Sequence, residues 1–184
     1  MIYTTGALPS WLTFDAATRT FSGTPANGDV GTVSITITAT DGSGATANDT
    51  FDIVIGNTND APTVANPITD QAATEDAAFS FQFAGNTFND VDAGDTLTYT
   101  TNSLPSWLTF DAATRTFSGT PANGDVGTVS VTVTATDGSG AAANDTFDIV
   151  IGNTNDAPTV ANPIADQAAT EDTGFSFQFA ANTF

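Results

Sequence analysis

Apolar and polar side chains alternate one by one along several stretches of the chain. Val129, Val131, Val133 and Ala135 are separated by Ser130, Thr132 and Thr134. Phe79, Phe81 and Phe83 alternate with Ser80 and Gln82, and Phe147, Ile149 and Ile151 with Asp148 and Val150. A period of two in β-branched and aromatic residues turns one face of a strand to a core and the other to water. Turn-forming clusters separate these runs: Asp111-Ala112-Ala113-Thr114, Pro121-Ala122-Asn123-Gly124 and Asp137-Gly138-Ser139-Gly140. No stretch carries a helical period, so the pattern predicts an all-β fold. Strand A is expected over 67–71, B over 78–83, C over 96–101, a central hairpin over 107–110 and 115–118, F over 127–136 and G over 146–151. About seven strands per unit make a two-sheet, Greek-key sandwich. Trp107, the bulkiest apolar residue of the unit, is expected in its core.

The pattern also repeats. Leu8-Pro9-Ser10-Trp11-Leu12-Thr13-Phe14 returns as Leu104-Pro105-Ser106-Trp107-Leu108-Thr109-Phe110, within a longer match of Tyr3–Phe88 to Tyr99–Phe184. The differences are conservative: Ile35 and Ile37 become Val131 and Val133, and Thr46 becomes Ala142. Copies this alike imply recent duplication within a longer array. Polar, proline-bearing linkers, Asn57-Thr58-Asn59-Asp60-Ala61-Pro62 and Asn153-Thr154-Asn155-Asp156-Ala157-Pro158, mark the unit boundaries. The expected division is therefore the last part of one repeat (1–60), a whole repeat (61–156) and the opening A and B strands of a third (157–184).

Composition changes this picture in one respect, by adding charge. Arg19 and Arg115 are the two basic residues against twenty-one acids, giving a formal net charge of −19. Such a chain repels nucleic-acid phosphates and anionic membranes and attracts cations. No apolar run is long enough to span a bilayer, so direct membrane insertion is not expected. Cysteine and histidine are absent, which removes disulfides, the commonest general base and the usual ligand of transition metals. Carboxylates, amides and carbonyls remain as ligands.

Strand directions sort the acids. With the incoming linker at the top, strand A descends, B ascends and G descends, so the B–C and F–G loops lie at the top. Asn89-Asp90-Val91-Asp92-Ala93-Gly94-Asp95 and Asp137 then face Asn57-Thr58-Asn59-Asp60. At the bottom, Glu75, Asp76 and Asp125 face Asn153-Thr154-Asn155-Asp156. Carboxylates crowded at a joint repel one another unless a cation joins them. Calcium takes six to eight oxygens at roughly 2.3–2.6 Å and suits flexible oxygen-only loops, whereas zinc prefers nitrogen and sulfur. The 90–95 stretch opens with the spacing of an EF-hand but has Thr101 where that loop carries its glutamate, and it joins strands.

Leu-Pro-Ser-Trp-Leu-Thr-Phe-Asp (8–15 and 104–111), Phe-Ser-Gly-Thr-Pro (21–25 and 117–121), Ala-Thr-Asp-Gly-Ser-Gly (39–44 and 135–140) and Asn-Thr-Asn-Asp-Ala-Pro together resemble the cadherin superfamily. The closest likeness is to the dystroglycan-type cadherin-like repeats of bacterial surface proteins, and it covers the whole chain. It implies an immunoglobulin- or cadherin-like sandwich with Ca²⁺ stiffening the joints between repeats. By motif, Asn57, Asn59 and Asp60 resemble linker ligands, Asp90 and Asp92 the Asp-x-Asp pair of the next repeat, and Asp137 its later acid. Glu75 resembles the acid serving the joint at Asn153, Asn155 and Asp156. The linker opens on Asn where classical cadherins have Asp, and their paired bottom acids are reduced here to Asp125, so fewer ions are expected per joint.

The expected function is an adhesive or spacer module of a large extracellular, cell-surface protein, with calcium as cofactor and no catalytic activity. Two alternatives remain. A carbohydrate-binding accessory module acting on surface polysaccharide would need exposed aromatic platforms, and the aromatics here alternate inward. Because 1–60 and 157–184 are complementary parts of one repeat, strand complementation between copies would give head-to-tail self-assembly. The chain stops before a further acidic B–C loop, so the second joint is expected to lack an Asp-x-Asp pair and the first to lack a glutamate.

Overall fold

The computed structural model describes residues 1–92 and 94–184. Strands dominate it, with two 3-10 turns at Asn27–Asp29 and Asn123–Asp125 among the described residues. The first five strands are β1 (Ile2–Thr5), β2 (Leu12–Asp15), β3 (Thr20–Gly23), β4 (Gly31–Thr40) and β5 (Thr46–Ile55). They form one three-stranded sheet, β1-β4-β5, and one hairpin, β2-β3. The next nine are β6 (Thr63–Val64), β7 (Gln71–Thr74), β8 (Phe79–Gln82), β9 (Phe88–Asn89), β10 (Thr98–Thr101), β11 (Leu108–Asp111), β12 (Thr116–Gly119), β13 (Gly127–Thr136) and β14 (Ala142–Gly152). They repeat the same arrangement and extend it. The sheet becomes β10-β13-β14-β7, the hairpin becomes the three-stranded β11-β12-β8, and β6 pairs with β9. This is an all-β sandwich.

Alternation explains its core. Val131, Val133 and Ala135 on β13 and Ile149 on β14 are fully buried, with Phe147 and Ile151 nearly so, while the intervening residues face outward. Phe117 on β12 is also fully buried. Its ring meets Phe147 of the facing sheet at 5.6 Å, edge to face, and stacks on Phe110 at 4.5 Å. Aromatic contact across the two layers welds the sandwich. Trp107 is half-buried on the rim of this core, edge-on to Phe79 at 6.1 Å.

Two strands differ from expectation for identifiable reasons. Strand A pairs with β14 from Gln71 rather than Pro67, running parallel to it with Ile149 opposite Gln71. Pro67 has no N–H to give, and the Ile68 N–H is taken by the Asp145 carboxylate at 2.6 Å. Strand G starts at Ala142, four residues early, because the β13–β14 hairpin zips from its own turn with Thr136 opposite Ala142. Residues 157–184 form no strand and are exposed apart from Thr183.

Candidate functional site

The fold gathers acids from separate loops around the segment between Ile55 and Thr63. The β13–β14 turn is shaped around one of them. Asp137 Oδ1 accepts the N–H groups of Ser139 (2.9 Å) and Ala141 (2.8 Å), and the Asp137 N–H donates to Ala141 O (3.0 Å). Gly140 closes this turn at φ +92°, a backbone angle that side-chain-bearing residues rarely adopt. The second oxygen, Oδ2, accepts the Asn59 side-chain amide at 3.0 Å. That bond and the turn N–H groups hold the Asp137 carboxyl below the usual carboxylate range although its burial opposes them.

The loop between β9 and β10 supplies the other acids. Asp90 Oδ1 accepts the Asp92 N–H at 3.0 Å, Asp95 donates its N–H to Asp92 O at 3.2 Å, and Asp92 Oδ2 accepts the Asp60 N–H at 2.8 Å. Ala93 of this loop lies outside the described residues. One carboxylate oxygen each from Asp90, Asp95 and Asp137 falls within 4.8 Å of the others. Two oxygens on opposite sides of one calcium ion are separated by about twice the 2.3–2.6 Å bond length, a spread comparable with that of these three. Partial desolvation by the surrounding loop, followed by the charges of Asp90, Asp92 and Asp137, pushes the exposed Asp95 carboxyl above its ordinary value. Asp90 Oδ2 and Asp92 Oδ1 are buried without a hydrogen-bond donor. Buried carboxylate oxygens without donors are costly, and a cation bound there would satisfy them.

Asp60 is held from both directions. While its N–H goes to Asp92, its Oδ2 accepts the Asn27 amide at 2.6 Å from the 3-10 turn ahead of β4. The second linker repeats this contact, with Asp156 Oδ2 accepting the Asn123 amide. There Glu75, only 1 % exposed, takes the Thr154 N–H on Oε1 and leaves Oε2 without a donor. The neighbouring Asp76 donates its N–H to Pro121 O at 2.8 Å, drawing the β7–β8 turn to the turn before β13.

Of the residues singled out from sequence, Asn59, Asp60, Asp90, Asp92 and Asp137 meet at the first linker, and Glu75 reaches the second. Asn57 is exposed and takes no part in the hydrogen-bonded set. Asn153 and Asn155 bond to the carbonyls of Thr154 and Asp156, at 3.0 and 3.3 Å. Asp95, placed by the sequence in the acidic loop facing the linker but not among the residues resembling ligands, belongs to the carboxylate cluster. Asn123 makes the second-linker contact expected of Asp125, and Asn27 makes the equivalent contact at the first linker. The Asp125 carboxylate instead accepts the Ala122 N–H at 2.9 Å, capping its own turn. Their signal was present in the repeated Ala-Asn-Gly-Asp tetrapeptide, 26–29 and 122–125.

Fold and site together define an immunoglobulin- or cadherin-like sandwich module with acidic loops at its linker. The chain belongs to the family described as "Putative Ig domain", whose pattern matches residues 1–56 and 61–152. Among curated relatives it is 38 % identical over 144 residues to the serine-rich adhesin for platelets of Staphylococcus aureus strain MRSA252. That match takes in 78 % of this chain and 10 % of the adhesin. The chain thus spans a tenth or less of such relatives, 6 % in strain MSSA476. Among solved structures, protocadherin gamma B7 cadherin domains 1–4 align over 84 % of this chain and 42 % of that one, with TM-score 0.59 and 16 % identity. Mouse cadherin-23 domains 22–24 align over 83 % and 53 %, with TM-score 0.58 and 15 % identity. These two likenesses concern the fold.

Proposed function

We propose that the chain is a calcium-stiffened adhesion or spacer segment of a long surface protein, built from cadherin-like repeats of the dystroglycan type that meet at 60/61 and 156/157. It is an extracellular, cell-surface module, as are the adhesins it is similar to. No helix among the described residues is long and apolar enough to cross a membrane. Asp90, Asp92, Asp95 and Asp137 hold Ca²⁺ at the first joint, with Asn57, Asn59 and Asp60 adding linker oxygens. Glu75 with Asn153, Asn155 and Asp156 serves the second.

The observation that carries this reading is the coincidence at one linker of converging carboxylates, buried oxygens without donors, and Asp60 tied to both flanking segments. Ca²⁺ bound there cross-links loops that otherwise repel. The module's role is mechanical: it sets the spacing and stiffness with which a surface protein presents its binding parts. The large apolar residues exposed between 61 and 152 are Val91, Val126 and Val150, so the described residues of this region offer no aromatic platform for a sugar ring.

Calcium titration followed by calorimetry and thermal melting tests the reading. A ligand that binds only the folded joint adds about 2.7 kcal/mol at a hundred times its dissociation constant, so the melting temperature rises with calcium and falls back on chelation. Asp92→Asn weakens binding by about tenfold or more, since each carboxylate removed lowers affinity for a hard cation. Unchanged melting with calcium, or full affinity in Asp92→Asn, overturns the assignment.

A further inference from the structure

The two basic residues of this acidic chain occupy one and the same position of the repeat. Arg19 and Arg115 close equivalent hairpin turns, with φ of +59° and +58°. A left-handed backbone is easy for glycine and unfavourable for a residue with a long side chain. Arginine stands there in both repeats, which points to a task for the side chain. Around Arg115 the fold fixes that side chain closely. The Arg115 carbonyl accepts the Phe83 N–H at 3.2 Å, and a Cβ on Gly85 would come within 3.3 Å of its Nη2. Its Nε is buried and has no acceptor. Asp111, at the other end of the turn, is lowered by hydrogen bonds from Thr114 and Ala113 and not by the guanidinium. A guanidinium held partly out of water without an acceptor is an uncompensated charge.

Arg115 lines an open cleft of about 510 Å³ together with Thr96, Leu97, Tyr99, Ala112 and Ala113. The Tyr99 ring is fixed edge-on to Phe83 at 5.4 Å, which holds its hydroxyl in one place. Half-buried Leu97 and Tyr99 give the cleft an apolar wall, Thr96 and Tyr99 give it hydroxyls, and exposed Ala112 and Ala113 bring backbone carbonyls. One cation, donors and acceptors for hydroxyl groups, and a small apolar wall suit a sugar that bears a carboxylate. The net charge of −19 narrows the choice further. It repels phosphodiester and densely sulfated chains along their whole length. A single carboxylate set among hydroxyls meets the guanidinium at contact, where the pair outweighs a field screened by salt.

We propose that the cleft between Tyr99 and Arg115 binds a carboxylate-bearing sugar, a uronic acid in its simplest form. The Arg115 guanidinium pairs with the carboxylate, the Tyr99 hydroxyl bonds to the ring hydroxyls, and Leu97 covers a C–H face. Charge and hydrogen bonds hold the ligand, so an exposed aromatic platform is not required. The site uses none of the aspartates of the linker and stands whether or not calcium binds there.

Titration of the 184-residue chain with sodium glucuronate, followed by the amide resonances of Tyr99, Ala112 and Ala113, reads the site directly. Calcium-free buffer excludes a carboxylate bound through a cation at the joint. Glucuronate is expected to shift these amides to saturation, glucose to leave them in place, and acetate to bind more weakly than glucuronate. Arg115→Gly suits the positive φ and so preserves the turn. It is expected to lower affinity roughly ten- to a hundredfold, the worth of a charge-assisted hydrogen bond. Tyr99→Phe keeps the ring, removes the hydroxyl and is expected to lower affinity roughly two- to tenfold. Unchanged β13 and β14 resonances in both variants serve as the folding control. Silence of the three amides towards glucuronate, an equal response to glucose, or full affinity in Arg115→Gly overturns the proposal. So does acetate binding as tightly as glucuronate, since the cleft would then recognise an oxyanion and no sugar.

Discussion

Two aspartates at the first linker are tuned in opposite directions, and the difference separates what they do. Asp137 is held below its ordinary value first by the Asn59 amide and then by turn N–H groups. Its ionised form therefore adds stability above the ordinary carboxylate value, and that contribution is lost as the pH falls through its depressed folded value. Asp95, though exposed, is raised by partial desolvation and by three neighbouring charges. Its ionised form subtracts stability in the metal-free protein, and acidification from neutrality relieves this as the pH crosses its raised folded value. Asp95→Asn is accordingly expected to raise the melting temperature in chelator and to lower it in saturating calcium. A melt in each condition reads this reversal, which a merely structural aspartate would not give. Calcium affinity is expected to fall on acidification, beginning above the ordinary carboxylate range as Asp95 protonates. Titrations across that range should show the onset disappear in Asp95→Asn.

At the scale of elements, the β11–β12 hairpin rests on a close approach that only glycine permits. A Cβ on Gly119 would sit 1.8 Å from the Trp107 carbonyl oxygen, and one on Gly23 equally close to that of Trp11. Backbone cannot yield as a flexible side chain can, so Gly119→Ala is expected to destabilise the sandwich by about 1–3 kcal/mol, in the manner of overpacking. Phe117→Ala, which removes a fully buried ring joining the two sheets, is expected to cost about 3–5 kcal/mol. Urea unfolding measures both. Unbroken alternation made β13 legible to the residue, 127–136, because a half-buried strand has no other way to divide its side chains. The start of β14 was not legible: Ala142, Ala143 and Asn144 carry no alternation, and the hairpin register alone recruits them. The two-residue β6 and β9 were missed for the same reason, being too short to show a period. At the joint, the loops bearing Asp90, Asp92 and Asp137 were legible through strand direction. The approach of Asp95 to Asp90 and Asp137, and the contacts of the Asn27 and Asn123 amides with the linkers, were not, since they arise from distances between loops that the order of residues does not encode.

For the whole molecule the question is whether a charge of −19 acts as a diffuse field or through a built site. Self-repulsion among surface carboxylates destabilises any compact acidic chain, and salt of any kind relieves it by screening. A cation held by converging oxygens behaves differently, since its effect saturates at a concentration set by affinity and depends on the ion's size and preferred number of ligands. Magnesium demands tight octahedral geometry and gives up its water reluctantly, whereas calcium accepts irregular arrangements of oxygens, and the carboxylates of Asp90, Asp95 and Asp137 converge irregularly. In a buffer whose sodium chloride already sets the ionic strength, small additions of calcium are expected to raise the melting temperature to a plateau while equal additions of magnesium raise it far less. Asp137→Asn should abolish the calcium plateau and leave the response to sodium chloride intact, because screening needs no particular carboxylate. Equal responses to calcium and magnesium would reduce the acids to a solvated surface. A response that disappears with one aspartate locates the effect at the joint, where it can stiffen an array of repeats.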